Sequence, residues 1–219
     1  MAALLRHGGD VVLRDYLTEL PLIAILRGLK PENAEAVGNV LVEAGFRIIE
    51  VPLNSPDPFR SIGILAKTMP KGVLVGAGTV MNPEQVHGVR DVGGRLIVMP
   101  HADIEVIEVA KEQELVCTPG VATPTEAFAA LKAGADAIKI FPAEAIPPAV
   151  VKAWRAVLPK ETVVLPVGGI KPDNMKPYLD AGANGFGLGS ALFTPSMSVE
   201  EIGGNARAFA TAWQVLTAG

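Results

Sequence analysis

Short apolar runs rich in β-branched residues alternate along this chain with longer segments whose apolar positions recur every three to four residues. This is the pattern of strands buried on both faces and joined by amphipathic helices. Eight runs predict strands: 22–26, 47–51, 73–77, 95–99, 115–118, 136–140, 162–166 and 184–188. The segments between them, such as PENAEAVGNVLVEAG and TPTEAFAALKAGA, open with Pro, Thr or Asp and close on Gly, as helices start and stop. The strand-end markers Arg27, Glu50, Thr79, Pro100, Thr118, Lys139, Gly168 and Gly189 fall 18 to 29 residues apart, room for one strand, one helix and two short loops. Eight such units with right-handed crossovers predict an α/β chain folded as a (β/α)8 TIM barrel, a single domain over 1–219. An open doubly wound sheet is the structural alternative. Residues 10–19 predict an extra N-terminal helix at the barrel floor, within an extension of about 20 residues, and residues 199–216 the last helix.

Composition narrows the partners. With 49% hydrophobic and 19% charged residues, the 219-residue chain is globular, and it fits one large domain better than two small ones. The net charge of -4 offers no electrostatic footprint for nucleic acid or an anionic membrane, so an anionic ligand must be met by local groups. The single cysteine, Cys117, excludes an intramolecular disulfide framework and suits a reducing compartment. The start MAALLRHGGD lacks the pattern of a signal peptide, and no apolar run approaches the length of a membrane span. The expectation is a cytoplasmic protein. The three histidines His7, His87 and His101 are scattered without metal-ligand spacing, so neither a metal nor an organic cofactor is expected.

In a barrel the chemistry sits at the C-terminal strand ends. Lys139 stands among Ala137, Ile138, Ile140 and Phe141, where desolvation lowers an amine pKa and makes a nucleophile that can attack a ketone. The alternative is a lysine whose stem packs while its head reaches solvent or a carboxylate. Glu50, among Ile48, Ile49 and Val51, is either ion-paired or raised in pKa and suited to moving protons. His101 is a rival proton carrier, while Asp57 and Glu144 read as helix caps. Gly168-Gly169 and Gly189-Ser190 end strands seven and eight, where barrels bind phosphate through backbone N–H groups. Arg27 matches a carboxylate, or else pairs with Glu50. GAGT at 76–79 lacks dinucleotide spacing and turns the Thr79 hydroxyl to the pocket.

The motifs PLIAILRG, EVPLNSP, GAGTV, PGVATPTE, KIFPAE, VGGI and GLGSALF together resemble the aldolases that cleave 2-keto-3-deoxy-6-phospho sugar acids, across nearly the whole chain. The resemblance implies a class I, Schiff-base aldolase on a (β/α)8 barrel, usually a homotrimer, releasing pyruvate and glyceraldehyde 3-phosphate. It makes Lys139 the Schiff-base lysine and Glu50 the proton shuttle. Arg27 and Thr79 would hold the pyruvate carboxylate and Gly168, Gly169, Gly189 and Ser190 the phosphate, with Pro100, Phe141 and Val167 completing the substrate pocket. Asn54 stands where many gluconate enzymes have arginine, and Val167 where that branch usually has threonine. Both changes look like the 2-dehydro-3-deoxy-6-phosphogalactonate branch, whose substrate differs at C4. The alternatives are relaxed specificity that takes the gluconate epimer or 4-hydroxy-2-oxoglutarate, a phosphosugar isomerase with Glu50 as base, and a non-catalytic phosphosugar-binding barrel.

Overall fold

Parallel strands buried on both faces need apolar residues at every position, and the strand segments supply them. In the computed structural model, which describes residues 12–218, nine parallel strands form two curled sheets. They are β1 Leu22–Ile25, β2 Ile48–Pro52, β3 Leu74–Gly78, β4 Leu96–Val98, β5 Val116–Thr118, β6 Gly120–Val121, β7 Ile138–Ile140, β8 Val164–Pro166 and β9 Phe186–Leu188. The order is β5-β4-β3-β2-β1-β9 in the larger sheet and β6-β7-β8 in the smaller. A parallel bridge between Val167, just past β8, and Gly187 on β9 joins them on one side. On the other side β5 runs into β6 through Pro119. All eight expected strands are present; the fifth is divided because Pro119 has no N–H for the ladder. Its carbonyl still accepts from Lys139 N at 2.8 Å.

Helices follow the strands: α2 Pro31–Glu43, α3 Pro58–Thr68, α4 Pro83–Asp91, α5 Ile104–Glu112, α6 Pro124–Lys132, α7 Pro148–Arg155, α8 Met175–Asp180 and α9 Val199–Thr217. Five of these start with Pro in the first turn. A capping box of Thr123 and Glu126 opens α6, and one of Ser198 and Glu201 opens α9. The AGA phrase after α6 has its glycine, Gly134, at φ 101, the left-handed turn that ends a helix. The expected N-terminal helix is a single turn, α1 Leu13–Tyr16, among the described residues; residues 10 and 11 lie outside them.

Side chains alternate along each strand and separate two cores. Leu22, Ala24, Ile49, Ala77, Cys117, Ile138, Val164 and Leu188 pack outward into the large cluster beneath the helices. Leu13, Ile23, Ile48, Leu74, Leu96, Val116, Ala137 and Leu165 form a smaller cluster on the inner faces of the sheets. Leu13 thus anchors α1 to the inner core, 1% exposed.

Candidate active site

The same alternation sets three polar side chains one step beyond the inner cluster: Glu50 follows Ile48, Thr118 follows Val116 and Lys139 follows Ala137. The three share the lining of one small space with Val98, Leu165 and Val167. Glu50 is 2% exposed and Lys139 6%. The lysine Nζ sits 4.7 Å from the centroid of the Phe141 ring. The Glu50 carboxyl lies against Gly78 on β3, where a Cβ would come within 2.7 Å of Oε1. Among the described residues no ion pair within 4.0 Å joins Glu50 to Lys139 or to Arg27. Burial raises the Glu50 carboxyl above the usual carboxylate range against the pull of Lys139 and Arg27. Burial likewise lowers the Lys139 amine, opposed by Glu50 and assisted by Arg27. These are the properties of a proton carrier and of an amine nucleophile.

Arg27, just beyond β1, does not turn to Glu50. Its Nη1 donates to Asn54 Oδ1 at 2.6 Å and its Nη2 to Thr79 Oγ1 at 3.5 Å. Thr79 takes φ 57, an uncommon backbone for a β-branched residue, at the end of β3. Thr79, Pro100 and His101 line neither this small space nor the larger cavity described next. The His101 imidazole is 43% exposed with Nε2 3.9 Å from Asp103 Oδ2. Cys117 is core, its thiol pushed up to about 12 by burial and then by Asp136.

A cavity of about 600 Å³ brings together Arg27, Lys139, Phe141, Val167 and the two glycine turns, Gly168-Gly169 and Gly189-Ser190. The volume suits a small ligand. Gly168 and Gly169 have φ 112 and 62, backbone that only glycine takes easily in succession. Asn174 pins their loop, donating from Nδ2 to Gly169 O at 2.8 Å and accepting at Oδ1 from Lys171 N at 2.8 Å. No side chain would crowd Gly189, where a Cβ meets nothing within 4 Å. Glu144, Lys171 and Thr194 also line the cavity, none of which the sequence pattern singles out as ligand contacts. Glu144, expected as a helix cap, instead stands on a 3-10 turn, Ala143–Ala145, with its carboxylate against Gly168 and Gly169. Asp57 does precede α3, but its side chain makes no cap hydrogen bond. Among the described residues no group of three or more His, Cys, Asp or Glu is placed to hold a metal ion, and no helix is long and apolar enough to cross a membrane.

Known proteins resemble this chain in sequence and in fold. The family model for KDPG and KHG aldolase matches residues 13–203. A probable 2-dehydro-3-deoxy-6-phosphogalactonate aldolase of Rhizobium meliloti is 51% identical over 193 residues, 88% of this chain and 90% of the relative. The 2-dehydro-3-deoxy-6-phosphogalactonate aldolase of Escherichia coli K12 is 46% identical over 91% of this chain and 97% of its own. A solved structure of native KDPGal superposes with a TM-score of 0.90 at 45% identity, covering 92% of this chain and 98% of that one.

Proposed function

Because the chain belongs to the KDPG and KHG aldolase family, we propose that it is a class I aldolase that cleaves 2-dehydro-3-deoxy-6-phosphogalactonate to pyruvate and glyceraldehyde 3-phosphate. One observation carries the reading: Lys139 and Glu50, both buried and shifted in opposite directions, border one small space, and Lys139 also opens to a cavity lined by two glycine turns. Burial narrows the gap between their proton affinities, so a neutral amine beside a protonated carboxyl is less costly than in water.

The neutral Lys139 amine attacks the C2 ketone, and its nitrogen proton passes to the new alkoxide. Glu50 then protonates that hydroxyl, which departs as water and leaves an iminium. The Glu50 carboxylate takes the C4 hydroxyl proton, the C3–C4 pair moves into the C2–C3 bond, and the iminium nitrogen accepts the displaced pair. Glu50 returns its proton to C3 of the enamine, and water releases pyruvate from Lys139. Arg27, steadied by Asn54 and near Thr79, faces the substrate carboxylate, while Phe141 and Val167 supply apolar wall. The phosphate is held by the backbone of Gly168, Gly169, Gly189 and Ser190, with the Lys171 ammonium beside them.

The same proposal has the eight units close into one (β/α)8 barrel with α1 at its floor, supported by the Val167–Gly187 bridge, the Lys139 bond to Pro119 and the seat of Leu13. It also includes a homotrimer, for which the exposed Met81, Ile104 and Phe128 offer apolar surface; a sedimenting mass of one 22.9 kDa chain would remove it. Pyruvate release from the two C4 epimers tests the substrate. The galactonate epimer is expected to show a kcat/KM at least about tenfold higher, a hydrogen-bonding difference. Equal values would mark the relaxed specificity that an apolar Val167 permits, and no release from either would end the aldolase reading.

A further inference from the structure

Arg27 lines the cavity together with Lys139, and the chain on both sides of it is tied to β2 and to the turn that follows. Leu26 N donates to Glu50 O at 2.9 Å, and Gly28 N donates to the Oγ of the buried Ser55 at 2.9 Å. Ser55 N donates to Pro52 O at 2.9 Å and Leu53 N to Gly78 O at 2.8 Å, so the residue between them, Asn54, stands on a braced turn. From there Asn54 Oδ1 accepts from Arg27 Nη1 at 2.6 Å, while Thr79 Oγ1 accepts from Nη2 at a longer 3.5 Å. Both acceptors are neutral. Among the described residues no carboxylate pairs with the guanidinium within 4.0 Å. Asn54 itself lines neither the cavity nor the small space beside Glu50, so whatever it does there passes through Arg27. An amide oxygen orients a guanidinium through a hydrogen bond and leaves its charge whole, whereas a carboxylate in its place would pair with the fork and offset that charge.

We propose that Asn54 is a positioning residue that works by being neutral: it aims Arg27 without offsetting its charge, and so keeps the guanidinium for the carboxylate of a 2-oxo acid. The inference rests on the aldolase reading above, in which that carboxylate meets Arg27 while the adjoining ketone meets Lys139. Asn54 touches no substrate atom; it sets how much charge the arriving carboxylate finds. The same device narrows the substrate class. A ketone that lacks the carboxylate gains nothing from a free guanidinium, so 2-oxo acids are favoured over neutral ketones of the same size.

Asn54→Asp keeps the shape and the accepting oxygen and adds a charge, whereas Asn54→Ala removes the oxygen and adds none. Asn54 is exposed, so neither change removes packing from the core. Saturation is read by borohydride trapping with pyruvate and with its neutral amide, pyruvamide, and the half-saturating concentration of the first is divided by that of the second. This ratio is expected to rise about tenfold in the aspartate variant, the scale of one charge-assisted hydrogen bond, and about threefold in the alanine variant, the scale of a neutral one. If pyruvamide forms no adduct, half-saturating pyruvate alone is compared in the same order. KM for the phosphorylated substrate should rise in that order too. A tie that only braced the turn would reverse it, because a carboxylate holds an arginine more strongly than an amide does. A value in Asn54→Asp equal to the parent's, or no higher than in Asn54→Ala, would overturn the proposal. Trapping of pyruvate on the wild-type protein separates the two failures. A trapped adduct with the wrong order among the variants removes only the role of Asn54; no adduct on the wild type removes the aldolase reading and this inference with it.

Discussion

An ammonium and a carboxylate enclosed among the same apolar side chains each lose hydration, and the two losses push their proton affinities toward each other. Lys139→Met removes the cation that opposes the rise of Glu50. The remaining carboxyl then has a folded-state pKa still further above its unfolded value. Such a group contributes stability in acid and loses it as pH rises through the folded pKa. The deficit in melting temperature of Lys139→Met against the parent therefore grows as pH rises above the ordinary carboxylate range; a deficit that shrinks would mean Lys139 does not oppose the rise of Glu50. Gly78→Ala tests the position of Glu50 differently, since the new Cβ meets only the end of that flexible side chain. The fold should persist while kcat drops about tenfold, whereas Gly76→Ala runs into the backbone carbonyl of Leu96 and should cost about 1–3 kcal/mol of stability. Parent-like turnover in Gly78→Ala would free Glu50 from that placement. Lys139 and Glu50 were legible in the sequence because an ion inside a β-branched run contradicts its surroundings. Thr118 was not, because threonine is at home in strands and only the folded chain shows its hydroxyl without a partner.

At the scale of elements, the strands carry the buried ions and the turns after them carry the proposed binding groups. The turn after β8 holds two consecutive glycines in positive φ with Glu144 packed against both, and Asn174 ties its far side. Gly168→Ala strains the backbone and drives a methyl group into the Glu144 carboxylate. If this turn binds the phosphate, KM should rise about tenfold with kcat within about threefold, the mark of lost uniform binding. An unchanged KM would move the phosphate elsewhere. Apart from the continuation of the fifth into β6, the strands were read to within two residues of their ends, because period two and β-branching are local signals. The division of the fifth by Pro119 and the shrinking of the N-terminal helix to one turn depend on ladder partners and packing that no single segment reveals.

At the scale of the molecule, the inner faces gather residues from every part of the chain into one polar point within an apolar core. The cavity takes Arg27 from the first unit, Lys139 from the sixth and the two glycine turns from the seventh and eighth. Order and spacing in the sequence were enough to expect that convergence, since parallel units deliver their strand ends to one side. They were not enough to expect Glu144, Lys171 or Thr194, which lie beyond strand ends on turns whose direction is set by their neighbours. Nor did spacing reveal that Pro100 and His101, at the end of the fourth unit, line neither space. The central claim is that this convergence makes an amine that bonds covalently to a ketone. Its most direct test is borohydride reduction of the protein in the presence of pyruvate, followed by peptide mass spectrometry. A reduced pyruvyl group on the peptide carrying Lys139, absent from Lys139→Met, is the predicted result; a folded protein with no adduct, or with the adduct on another lysine, would contradict it.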